Sequence, residues 1–173
     1  MTTKKEKKIL DRIEEKIDKL LESRIQPIEA PSQHVIISCD ASIKNNPGGP
    51  SAIGFVIRKP KEKPVGISKP SPAVTNNQAE YDAVYESLTT FFNLNNNPGC
   101  KVEVRSDSQL VIKQLKGEIK CQDTTLVKRR DAIREFIKAL PVPVEFVWKP
   151  RNSTKDLEEA NYLAQDLIEV PRH

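Results

Sequence analysis

The chain has 173 residues, a charged fraction of 30% and a formal net charge of +4, which suits one well-buried domain with a short appendage. No apolar run approaches the ~20 residues a membrane span needs. The Lys-rich N-terminus lacks the apolar core and small-residue cleavage site of a secretory signal, so the expectation is a cytoplasmic protein with no membrane contact. Cys39, Cys100 and Cys121 are an odd set without metal-ligand spacing, and read as buried free thiols in a reducing compartment. The charge balance permits a polyanionic partner without requiring one.

Residues 4–22 read as a helix. Leu10, Ile13, Ile17 and Leu20 recur at spacings of three and four, with Lys and Glu on the remaining faces. The stripe is narrow and short for a free-standing coiled coil. It suits packing on the main domain, homodimerisation, or a tether to a protein partner. Pro27 and Pro31 mark a linker, so the chain divides into an amphipathic helix over 1–25, a linker over 26–33 and a main domain over 34–170.

The main domain opens on Val35, Ile36 and Ile37, an apolar β-branched run that leads into Cys39-Asp40 and breaks at an Asn/Pro/Gly turn. Ala52 to Arg58 and Pro64 to Lys69 read as a hairpin around RKPKEKP. Thr75 to Asn93 is a helix with Ala79, Ala83, Leu88 and Phe91 on its apolar face, capped by Thr75 or Asn76. Asn95 to Gly99 should stop it. KVEVR over 101–105 alternates as a half-exposed strand, Asp107 ends it, and Ser108 to Leu115 starts a helix. A further helix covers about Thr124 to Leu140. Val142 to Trp148 is a fifth strand, whose prolines, Pro141 and Pro143, confine its start to an edge or bulge. The last helix spans about Asp156 to Ile168. This order, β-β-β-α-β-α-α-β-α, implies an α/β domain with a mixed five-stranded sheet flanked by helices, plus the N-terminal helix.

An aspartate inside the first strand needs compensation, because an unpaired buried carboxylate costs several kcal/mol. Asp40 therefore reads as the central ligand of a magnesium site completed by Glu80 and Asp107. Singly, Glu80 reads as a solvated helix charge, and Asp107 reads as easily as a helix cap. Jointly, three oxygen ligands from separate elements suit a hard cation that keeps several waters.

CDAS with NPGG, then TNNQAEYDA, RSDSQLVIKQLKGEIK, and VEFVWKPRNS with EEANYLAQ follow one another in an order and at separations that resemble type 1 ribonuclease H, in its short bacterial and archaeal form. The resemblance covers about Val35 to Ile168. It implies the ribonuclease H-like fold and an endonuclease that cleaves the RNA strand of an RNA–DNA hybrid with two Mg²⁺ ions, Mn²⁺ being a substitute. It also implies Asp40, Glu80 and Asp107 as the first three metal ligands and catalytic residues. By the same resemblance Asn46, Asn76, Asn77 and Gln109 fall at the contacts that sense the RNA 2′-hydroxyl, a role that suits amides able both to donate and to accept. Thr75, Thr124 and Thr125 fall at a pocket for a DNA-strand phosphate, with Thr124 equally readable as a helix cap.

The fourth carboxylate of the family pattern is replaced here by Asn161, in EEANYLAQ. An amide oxygen can still coordinate but brings no charge, so the second metal should be held more weakly. Three explanations stay open: an acid altered to an amide, a natural site that keeps activity through Glu158, or a non-catalytic hybrid-binding domain. Ala41 stands where the family usually has glycine. The mobile residue near the last motif has no clear counterpart, with Asp156, Glu158 and Glu159 as candidates. From Lys113 to Lys138, eight Lys/Arg against four Asp/Glu could track phosphates together with Lys149 and Arg151. Trp148 reads as core or sheet-edge packing.

Overall fold

The computed structural model describes residues 4–24, 33–94 and 99–169. Its contacts divide the chain into two compact units, Met1–Pro31 and Ser32–His173. The first is built on α1 (Lys4–Arg24), longer by two residues than the apolar spacing predicts. Ile9 and Leu21 join Leu10, Ile13, Ile17 and Leu20 in its apolar stripe, and all six side chains are exposed. The expected linker lies outside the described residues except for Gln33, which begins the first strand, and so do residues 95–98 of the expected helix stop.

The second unit is a five-stranded sheet in the order β3-β2-β1-β4-β5. Its strands are β1 (Gln33–Ile43), β2 (Ser51–Arg58), β3 (Val65–Ser71), β4 (Cys100–Ser106) and β5 (Val144–Trp148). The helices are α2 (Asn76–Leu94), α3 (Gln109–Lys116), α4 (Thr124–Lys138) and α5 (Lys155–Glu169). β1 pairs antiparallel with β2 and parallel with β4, and β5 extends the parallel side as an edge, where the flanking prolines place it. The sheet is mixed, as the element order implies. Among the described residues no helix is long and apolar enough to cross a membrane.

Strand alternation sorts the two faces. Ile53, Phe55 and Ile57 of β2 join Val35, Ile37 and Cys39 of β1 in the main core, against Ala79, Tyr81, Val84 and Leu88 of α2. Gly54 meets the other layer, where a Cβ would come within 2.1 Å of the Ala160 carbonyl on α5. At this position the helix lies so close to the sheet that no side chain fits between them. Its start is held by Arg58, which donates from Nε and an η nitrogen to both oxygens of buried Asp156 at 2.7 and 2.6 Å. Asp156 therefore anchors α5 and is not a stand-in for the family's mobile residue. Of the three free cysteines, Cys39 and Cys100 are buried as expected, while Cys121 is only half-buried.

Candidate metal centre

Asp40 lies where the sheet opens. The β1–β4 ladder ends at the pair Ser38 and Arg105, while β2 still runs opposite Asp40 through Gly54. The carboxyl ends of the parallel strands diverge here, the place where open α/β sheets form their clefts. Asp40 is buried, and its Oδ1 accepts from the Ala41 N–H at 2.8 Å.

Glu80 reaches the same place from α2. Thr75 starts that helix, its Oγ1 accepting from the Gln78 N–H and its carbonyl from the Ala79 N–H. The one-turn offset then sets Glu80 between buried Ala79 and Tyr81. Asp107 is delivered by the two-residue connection from β4 to α3. It does not cap α3; Ser108 does, accepting from the Val111 N–H, so the Asp107 carboxylate is not taken up in capping. One oxygen from each of Asp40, Glu80 and Asp107 lies within 4.8 Å of the others.

Three acids so close in low dielectric repel one another. Burial, helped by the charge of Asp107, raises the Asp40 pKa to about 6. Burial and the charge of Asp40 push Glu80 well above the usual carboxylate range. Arg151 offsets part of this, donating from Nε to Asp107 Oδ2 at 2.8 Å. Among the described residues, Glu80 Oε2 and Asn161 Oδ1 nevertheless stay buried without a partner, as does the Ser38 hydroxyl. An all-oxygen donor set, excess negative charge and orphaned buried oxygens fit a hard divalent cation.

Asn161 sits on α5 next to Ala160, the residue that touches Gly54 opposite Asp40. Its Nδ2 lies 3.5 Å from Asn152 Oδ1. Asn152 has φ of 54°, a left-handed conformation that asparagine tolerates better than most residues. Glu158, the alternative acid, is exposed.

Most of the amide and hydroxyl candidates lie at or near the starts of α2 and α4, while Gln109 is the first residue of α3. Gly48 has φ of 95° and donates its N–H to the Val74 carbonyl at 2.8 Å, which ties the β1–β2 turn to the approach of α2. Asn46 Oδ1 consequently accepts from the Asn76 N–H at 3.3 Å, bringing two expected contact residues together. Asn77 and Gln109 are exposed. Thr124 is the first residue of α4 and not its cap; Asp123 caps it, accepting from the Thr125 and Leu126 N–H groups. The Thr125 hydroxyl donates to Asp123 and accepts from Gln78 Nε2 at 3.0 Å, which links the two helix starts. This link by Gln78 is not legible in the sequence, where nothing in its spacing distinguishes it from a solvated helix position.

The basic run from Lys113 to Lys138 is partly used inside the fold. Arg129 pairs with Asp82, Arg134 donates to the carbonyls that end α3, and Lys116, Arg130 and Lys138 pair with neighbouring acids. Among the described residues, Lys113, Lys120 and Lys128 of this run make no ion pair. Trp148 is exposed on the edge strand β5, which fits the sheet-edge reading and not the core one, and it donates from its indole to the Asp107 carbonyl at 3.1 Å.

A family profile described as RNase H matches residues 32–167. The chain belongs to the ribonuclease H family. Among curated relatives, Ribonuclease HI of Halobacterium salinarum is 35% identical over 99 residues, 57% of this chain and 48% of that protein. The uncharacterized protein YpeP of Bacillus subtilis is 30% identical over 94 residues, 54% of this chain and 40% of that one. The matched segment thus spans about half the length of the curated relatives or less. The solved RNase H1 of the halophilic archaeon H. salinarum superposes with a TM-score of 0.68 at 31% identity, covering 77% of this chain and 96% of that one. LC11-RNase H1, a compost isolate solved in complex with an RNA/DNA hybrid, gives 0.67 at 30% identity, covering 78% and 96%.

Proposed function

We propose that this domain binds RNA–DNA hybrids and hydrolyses their RNA strand with the help of divalent cations. The observation that carries the reading is the convergence of Asp40, Glu80 and Asp107 oxygens within 4.8 Å at the carboxyl ends of the parallel strands. The hybrid seen with LC11-RNase H1 supports the substrate class. Asp40, Glu80 and Asp107 would hold one Mg²⁺ ion, and Asp40 with Asn161 a second, weaker one, Mn²⁺ serving as substitute. Such ions supply an activated water and stabilise the leaving 3′ oxygen.

The chain's own groups provide position and selection. Arg151 and the strand end hold the Asp107 carboxylate toward Asp40. Asn46 commits its oxygen to the Asn76 N–H, so its Nδ2 remains to donate to a minor-groove acceptor or a 2′-hydroxyl. Asn76, Asn77 and Gln109 continue that amide surface. Thr75, Thr124 and Thr125 offer hydroxyls to a phosphate of the DNA strand, and Lys113, Lys120 and Lys128 are free to follow the backbone. Free cysteines support a cytoplasmic setting. The apolar stripe of α1 suits contact with the main domain, a second copy or a protein partner.

The test is cleavage of a labelled RNA–DNA hybrid, beside duplex DNA, in Mg²⁺ and in Mn²⁺, with Asp107→Asn as control. RNA-strand cleavage that needs metal and vanishes in Asp107→Asn is expected. Tight hybrid binding without cleavage in either metal would favour the second reading, a non-catalytic hybrid-binding domain, to which the uncharged Asn161 already points.

A further inference from the structure

We infer that Trp148 is a positioning residue for Asp107. The inference rests on the metal-centre reading for its consequence, and on the geometry around the β4–β5 ladder for its substance.

The register of β4 with β5 ends at the pair Ser106 and Trp148. One further backbone bond follows, from the Lys149 N–H to the Ser106 carbonyl at 3.0 Å. Asp107 lies past the last strand residue of β4, so its carbonyl has left the ladder, and the next residue after Lys149 on the facing segment is Pro150, which has no N–H. The indole of Trp148 supplies the missing donor at 3.1 Å. Three residues later, Arg151 takes the carboxylate of the same aspartate at 2.8 Å. A single short segment thus holds Asp107 at both ends: the indole orients the peptide plane that follows Asp107, and the guanidinium orients its side chain.

The two contacts differ in permanence. Arg151 is 59% exposed and its charge is free to follow a phosphate or yield to a cation. The indole bond is neutral, goes to the backbone, and competes with neither. It keeps the carboxylate on station when Arg151 turns away. Packing alone does not account for the residue, because Trp148 is 42% exposed and a phenylalanine or leucine would cover the same strand end. What tryptophan adds is the N–H. It is the sole tryptophan of the chain, so its fluorescence and its indole resonance report on this locus alone.

The experiment uses the full chain in three forms: unaltered, Trp148→Phe, and Trp148 replaced biosynthetically by its benzothienyl isostere, which keeps the bicyclic shape and lacks the N–H. In metal-free protein, amide resonances at Ser106 to Gln109 should shift in both altered forms, with the melting temperature little changed. Calorimetric titration with Mg²⁺ or Mn²⁺ should show affinity reduced by about three- to tenfold in both, the size of one net hydrogen bond. Unmoved Ser106–Gln109 amides would overturn the positioning role, whatever the metal does. Equal cation affinity in all three forms would overturn its consequence for the site. An unaltered chain that takes up neither cation, with the amide shifts present, would remove the metal reading and leave the positioning of Asp107 supported.

Discussion

Gly54 lies directly opposite Asp40 across β1 and β2, and a Cβ on that glycine would meet the Ala160 carbonyl at 2.1 Å. The sheet residue beside the central carboxylate is thus the one against which α5 is laid down, one residue before Asn161. Gly54→Ala would have to push α5 outward, because the clash is with backbone that cannot rotate away. Overpacking of this kind costs about 1–3 kcal/mol. Denaturant midpoints should fall accordingly. Metal affinity should fall with them, since the displaced helix carries Asn161 away from Asp40.

The other attachment of α5 is the Arg58–Asp156 pair. Arg58 is partly exposed, so its Coulombic attraction is screened, but Asp156 is buried and would be left without donors. Arg58→Ala should therefore cost about 1–3 kcal/mol, the penalty of a buried acceptor left unsatisfied. Asp156→Asn should cost less, since the amide keeps one oxygen for the guanidinium. A double-mutant cycle in urea reads the coupling directly. A coupling near zero would mean that α5 is held by Gly54 and its apolar contacts alone.

Element order and strand positions were legible because each strand here alternates or runs apolar between strong turn residues, as in KVEVR before Asp107. Asp40 was legible for the same reason: a carboxylate inside an apolar strand has few bland explanations. The capping of α3 and α4 was not. Asp107, Ser108, Asp123 and Thr124 are all good N-cap types, and only the backbone geometry shows that Ser108 and Asp123 take the role. Trp148 read as packing because a sequence does not show which way an edge-strand indole turns. The fates of Arg129 and Arg134 depended on partners 47 and 20 residues away, contacts that charge counting cannot see.

Acid titration in the centre sets a pH dependence with a definite sign. Asp40 is raised from the ordinary 3.8 to about 6, by burial first and by Asp107 second. An acid whose folded pKa is raised contributes its stability fully below the unfolded value and loses it as pH rises through the folded value. Asp40's contribution to the stability of the metal-free protein should thus fall by a few kcal/mol, on the order of 1.4 kcal/mol per tenfold change in proton affinity, between about pH 4 and pH 7. Saturating Mg²⁺ should abolish the loss, since a cation favours the ionised acids, and cation affinity should climb with pH up to and beyond about 6. Chemical denaturation in chelator and in Mg²⁺ across this range checks both. A metal-free protein that gains stability over the same interval would contradict the burial of these acids.

On the proposed hydrolytic reading, Asn161 is the position at which added charge should raise activity. Its Oδ1 is buried and unpartnered, so the position already presents an oxygen and lacks only charge. Asn161→Asp adds that charge within a set of acids that repel one another. Without metal the substitution should therefore lower stability above about pH 6, because a fourth carboxylate joins three that are incompletely compensated. With metal the sign reverses. The added carboxylate should tighten the weaker cation and raise hybrid cleavage by about a hundred- to a thousandfold, the range for one group that stabilises transition-state charge. Asn161→Ala should move the opposite way, removing the oxygen and leaving cleavage below the parent. Titration calorimetry counts the cations while a labelled hybrid reports the rate. If Asn161→Asp binds an extra cation yet cuts no faster than the parent, charge at this position is not what limits the chemistry.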